Sequence, residues 1–160
     1  MQELIKKVEQ WAQDKGILEK GNPVKQALKT LEETTELLAA VVDDDREALI
    51  DAIGDVVVTL IIQYKMQNGW PDIKLNALSK ELTYPLYYAR SCVEYAANLV
   101  TDVKNDNGQY AYNTTTGIIE YINMICVAEY LSIKDCLQSA YDVISKRNGK
   151  MVNGQFVKEA

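Results

Sequence analysis

Histidine is missing from this 160-residue chain altogether. That absence removes Ser-His and Cys-His nucleophile systems, zinc sites built on imidazole and the Glu-x-x-His di-iron bundle. Chemistry is left to carboxylates, lysines, arginines, hydroxyls or a metal. Proline is scarce, with three in the chain, so little interrupts helical stretches. An excess of positive charge is also lacking: 17 Lys and Arg stand against 23 Asp and Glu, giving a net charge of -6. This balance argues against a nucleic-acid polymer or an anionic membrane as partner. It leaves a small nucleotide open, because a bound cation reverses the local charge. No hydrophobic run reaches the roughly 20 residues of a membrane span; the most apolar one is Val56 to Tyr64. The N-terminus mixes charge with apolar residues and has no secretory core, so a cytoplasmic protein is expected. Cys92, Cys126 and Cys136 lack metal-type spacing, and their odd number suits a reducing compartment and core positions.

What is present is helical periodicity. Hydrophobic residues make up 48% and charged residues 25%, ordinary values for one globular domain over residues 1–160. The spacing predicts a helix over about Gln2 to Lys15, with Leu4, Ile5, Val8, Trp11 and Ala12 as its stripe. Gly16 is a plausible stop, and Pro23 is placed to start a second helix, about Val24 to Val42, with Ala27, Leu28, Leu31, Leu38 and Val42 apolar. The acidic turn at Asp43, Asp44 and Asp45 should cap a third, about Arg46 to Gln67, apolar nearly all round in its second half. Asn68 to Pro71 should end it. Further helices are expected over about Leu86 to Lys104, from a cap at Thr114, Thr115 or Thr116 to Leu131, and from a Ser132 cap to Arg147. A short extended piece at Met151 to Val157 is the one strand candidate. The fold expected is an all-α helical bundle.

The informative chemistry lies in two segments. Glu33 and Glu36 are spaced i, i+3 and Asp51 and Asp55 i, i+4, so each pair shares a helix face, about 5–6 Å apart at Cβ. If the chain reverses near residue 44, Glu36 comes level with Asp51 and Glu33 with Asp55. Four carboxylates in a partly buried groove repel one another and lose hydration. A divalent cation relieves both, and an all-carboxylate donor set selects a hard ion, magnesium or manganese. The bland alternative is a solvated acidic helix face. Asp55 weighs against it, because it interrupts the apolar wall Ile50 to Ile62, where a lone charge is costly.

These residues resemble the MazG-like, all-α nucleoside triphosphate pyrophosphohydrolases, whose pattern is Lys-x-x-Glu-Glu-x-x-Glu on one helix and Glu-x-x-Asp on the next. Lys29, Glu32, Glu33 and Glu36 match the first segment in full. The second ends in Asp55 followed by an apolar run, but Ala52 stands at the family's glutamate position, with Asp51 the natural substitute. The tail from Ala140 to Glu159 is similar to the end of the phage and Gram-positive branch. The resemblance covers about residues 1–67 and 128–159 and implies that about 68–127 is an inserted helical hairpin.

The resemblance implies hydrolysis of a (d)NTP to the (d)NMP and pyrophosphate, possible house-cleaning of the nucleotide pool, a Mg2+ cofactor that Mn2+ can replace, and a homodimer or homotetramer. It implies Glu33, Glu36 and Asp55 as catalytic ligands, with Asp51 the fourth. Lys29 either touches phosphate or pairs with a carboxylate, and Glu32 either stands behind the ligands or is a surface residue. Lys146, Arg147 and Lys150 either neutralise the polyphosphate or merely answer a helix C-terminal dipole. Trp11 either stacks on a base or fills the core. Tyr84, Tyr87 and Tyr88 are read as packing or an interface. The alternative function is a catalytically weak or inactive helical protein that binds a nucleotide or acts as an oligomeric interaction module, motivated by Ala52.

Overall fold

A computed structural model describes residues 1–67 and 84–159; the expected helix stop at Asn68 to Pro71 lies outside them. The described residues form helices α1 (Gln2–Asp14), α2 (Ile17–Lys20), α3 (Pro23–Val42), α4 (Arg46–Met66), α5 (Pro85–Lys104), α6 (Gly108–Ala128) and α7 (Ile133–Ile144). A hairpin of β1 (Gly149–Val152) and β2 (Gln155–Lys158) follows. The described residues form a helical bundle carrying one small antiparallel ribbon.

Local chemistry sets the boundaries that frame the later site. The Asn22 side chain accepts hydrogen bonds from Val24 N and Lys25 N, and Pro23 occupies the first helical position of α3; such a cap contributes about 1 kcal/mol. Asp44 takes a left-handed backbone, φ 53°, and turns the chain between α3 and α4. Asp45 then caps α4 by accepting from Glu47 N and Ala48 N. Ser132 caps α7 through Asp135 N. In the hairpin, Asn153 and Gly154 both have positive φ (49° and 79°), the conformation that the tight two-residue turn between twisted strands requires.

The core is one cluster to which every helix from α1 to α7 contributes. Leu4, Ile5, Val8 and Ala12 bury the expected stripe of α1, and residues 56–64 of α4 are buried on every side. Cys92, Cys126 and Cys136 are buried and free. Gly54 lets α4 and α7 approach closely, since a Cβ there would stand 2.4 Å from the Cys136 carbonyl oxygen. α5 packs on both α3 and α6, and Ala89, Cys92, Ala96 and Leu99 join the shared cluster. Tyr88 stacks on Tyr121 at 6.0 Å, while Tyr84 and Tyr87 are exposed.

Three expectations need correction. Of the apolar positions expected on α3, Ala27 is buried and Leu31 and Leu38 pack partly buried against the core, but Leu28 and Val42 are exposed. The fully buried face runs through Ala27, Thr30, Glu33, Thr34, Leu37 and Ala40. Thr30 and Thr34 can be buried because their hydroxyls donate to the carbonyls of Gln26 and Leu31 in their own helix. The helix expected to start at Thr114–Thr116 starts at Gly108 and ends at Ala128. Its threonines lie inside it: Thr115 and Thr116 donate to carbonyls four residues back, and Thr114 donates to Asp102. The last helix stops at Ile144, short of Arg147.

Among the described residues no single helix is long and apolar enough to cross a membrane; α6 and α7 together are, but they are bent by 107° at their junction.

Candidate functional site

A cleft of about 460 Å³ runs along the α3–α4 pair, closed at its sides by α1, the end of α7 and the hairpin. Because α3 and α4 are antiparallel neighbours, their facing stripes fall in register. Lys29, Glu32, Glu33 and Glu36 line it from α3, and Asp51, Asp55, Val58, Thr59, Ile62 and Met66 from α4. The four carboxylates singled out by spacing therefore share one cavity.

Their environments differ. Glu33 is 5% exposed, and one carboxylate oxygen, Oε2, is buried with no hydrogen-bond partner. Its other oxygen meets Lys29 Nζ at 2.6 Å, and the same ammonium reaches Glu32 Oε1 at 2.9 Å. Burial by itself lowers the Lys29 pKa, but the bonds to Glu33 and Glu32 outweigh it and the net shift is upward. Asp55 is half-buried. Loss of hydration, then the charges of Glu33 and Asp51, push its carboxyl up to about 6, with Arg147 and Lys29 opposing. Glu36 is more open, and it too is raised, by desolvation and then by Glu33. Asp51 is exposed at the rim. Negative charge is thus in excess at this end of the cleft, and the nearby cations do not cancel it.

Of the cations expected at the site, Lys29 pairs with carboxylates and Arg147 lines the cleft near enough to act on Asp55. Lys146 and Lys150 do not line it. Both are exposed, and alternation along β1 puts Lys150 on the face opposite Met151, which does line the cleft. Trp11 is part of the lining and packs edge-on to Phe156 at 5.8 Å.

Sequence reasoning missed Lys25, Asn22, Phe156 and Lys158, which also line the cleft. Lys25 had a signal, since it lies one turn before Lys29 on the same helix face. Phe156 and Lys158, two apart in β2, share a strand face, but nothing local announced that this face would meet α1 and α3.

In the arrangement described, no group of three or more acidic or thiol side chains among the described residues is gathered closely enough to hold a metal ion. The donor chemistry still suits a hard cation: every candidate ligand is a carboxylate, and the buried, unpartnered Glu33 Oε2 is a group that a cation would satisfy.

Among known proteins, the chain is similar to an uncharacterized 18.2 kDa protein from the rep-hol intergenic region of Haemophilus phage HP1 (strain HP1c1). The two are 38% identical over 68 residues, covering 42% of this chain and 42% of the phage protein. The match thus spans less than half of that relative's length. No family model matches the chain, and no solved structure matches it.

Proposed function

We propose that this chain is a magnesium-dependent nucleotide pyrophosphohydrolase of the MazG-like, all-α kind, splitting a (d)NTP into (d)NMP and pyrophosphate as a house-cleaning activity. The observation that supports the reading is that Glu33, Glu36, Asp51 and Asp55 line one cleft, with excess negative charge and an unsatisfied buried oxygen. The helical architecture and the Lys29–Glu36 and Asp55 segments are in keeping with it.

Glu33 and Asp55 would hold the cation from the cleft wall and Glu36 and Asp51 from its more open side. Bound there, magnesium or manganese supplies Lewis-acid polarisation of phosphoryl oxygens and acidifies water. Arg147, Lys25 and Lys158 carry the positive charge facing the ligand and orient its phosphates. Without histidine, a carboxylate accepts the proton of the attacking water. Lys29 orients the buried Glu33 carboxylate through the 2.6 Å contact. An oligomer of two or four chains belongs to this reading, as does a cytoplasmic location.

The test is incubation of the protein with a panel of NTPs and dNTPs plus magnesium, reading monophosphate and pyrophosphate. Glu36→Gln and Asp55→Asn are expected to lower turnover by at least about 100-fold; full activity in either variant contradicts the assignment.

A second reading is favoured by Lys29, which already supplies a cation to Glu33, and by Ala52, buried at the family's glutamate position. In it the cleft binds a nucleotide without turning it over. Nucleotide binding with no product across the panel supports that reading.

A further inference from the structure

The three buried cysteines have different surroundings. Cys92 stands by itself: its thiol meets the Ile118 carbonyl oxygen at 3.9 Å, and burial pushes it up to about 12. Cys126 and Cys136 meet each other. Ten positions separate them, with Cys126 in the last turn of α6 and Cys136 in the first turn of α7. The chain bends by 107° between these helices. Tyr130, in a left-handed conformation with φ 55°, makes the corner. Leu131 N donates to Cys126 O at 2.8 Å, and Cys136 N donates to Ser132 O at 3.0 Å. One short turn thus fixes both residues, and their side chains hydrogen-bond inside the core cluster. The Cys126 thiol is the donor. That bond holds its own proton on and pulls the Cys136 thiol below its ordinary range, with burial and Asp135 opposing and Arg46 assisting.

We propose that Cys126 and Cys136 form a redox modification site, which a peroxide closes into an intramolecular disulfide that clamps the α6–α7 corner. The inference does not depend on what the cleft binds. The Cys136 sulfur attacks one peroxide oxygen; the O–O bond breaks, the departing hydroxide takes the thiol proton and leaves as water, and Cys136 becomes a sulfenic acid. The Cys126 sulfur then attacks the Cys136 sulfur; the S–O bond breaks, and the hydroxyl leaves with the Cys126 proton as a second water. Two thiols and one hydrogen peroxide give one disulfide and two waters. The sulfurs close from hydrogen-bond contact to about 2.05 Å. With the resolving thiol already in contact, the sulfenic acid is captured before it oxidises further. The residues are only 3% and 2% exposed, which suits an oxidant the size of hydrogen peroxide rather than a bulky disulfide. The clamp reaches beyond the corner: the Cys136 carbonyl is the atom that Gly54 leaves room for on α4, so fixing Cys136 also fixes α7 on α4.

Folded protein is treated with hydrogen peroxide, then unfolded in iodoacetamide and analysed by mass spectrometry. The untreated chain takes three alkyl groups, one for each free cysteine. The oxidised chain is expected to take one, at Cys92, and to yield a Cys126–Cys136 cross-linked peptide. Its melting temperature is expected to rise by several degrees, as for other short disulfide loops, and to return to the starting value with dithiothreitol. Cys92→Ser is expected to respond as the parent does, and Cys136→Ala to show no rise. Three alkyl groups after peroxide, a sulfinic acid without a cross-link, or a disulfide between two chains overturns the pairing. A cross-link that leaves the melting temperature unchanged or lower overturns the clamp. Both readings come from the unaltered chain, so they decide the matter even where Cys136→Ala folds poorly.

Discussion

Lys29 Nζ lies 2.6 Å from Glu33 Oε1, joining a half-exposed ammonium to a carboxylate that is 5% exposed. The ammonium is the nearest cation to the most deeply buried acid of the cleft. Removing it leaves that acid without compensation. Lys29→Gln is therefore expected to destabilise the metal-free protein by about 1–3 kcal/mol, at the low end because Lys29 is partly solvated. Added magnesium should restore much of the loss. Thermal melts with EDTA and with magnesium check this; equal melting temperatures for variant and parent in EDTA would contradict the coupling.

Asp55 gives the metal-free protein a distinctive pH response. Burial and the Glu33 and Asp51 charges raise its carboxyl to about 6, from an ordinary value of 3.8. The folded form thus holds this proton more tightly than the unfolded chain does. Stability from this group is present at low pH and is lost as pH climbs through about 6. Melts in EDTA should show the parent gaining stability between pH 7 and pH 5 relative to Asp55→Asn, which lacks the ionisation. Parallel curves for the two proteins would exclude the effect.

Gly54 fixes how close α7 comes to α4, one residue before Asp55. An added methyl would stand 2.4 Å from the Cys136 carbonyl oxygen and 2.7 Å from the Ala140 Cβ. Gly54→Ala is expected to cost about 1–3 kcal/mol through overpacking, more than the helix-propensity gain returns. A melting temperature several degrees below the parent's would agree; an unchanged or higher value would show that the helices separate at no cost.

How much could be read in advance depended on how local the determining physics was. Helix starts at Pro23, Arg46 and Ile133 were legible because Asn22, Asp45 and Ser132 act within three residues of themselves. The shared cleft of Glu33, Glu36, Asp51 and Asp55 was legible because a short turn at Asp44 makes the register of α3 and α4 a matter of counting. The threonines of α6 misled because a hydroxyl that can cap a helix can equally bond back to a carbonyl inside one. Leu28 and Val42 misled because hydrophobicity alone does not show which stripe of α3 faces the bundle; the packing of α5 on α3 decides that. The roles of Phe156 and Lys158 are set by contacts more than a hundred residues away in the chain, and no window of sequence contains them.

Titration of metal-free protein with magnesium, followed by calorimetry at neutral pH, tests the central claim most directly. The acids that line one cleft should bind the cation with measurable heat, and Glu33→Gln and Asp55→Asn should each weaken that binding by at least about tenfold. No heat in the parent protein, or the same affinity in both variants, would contradict it.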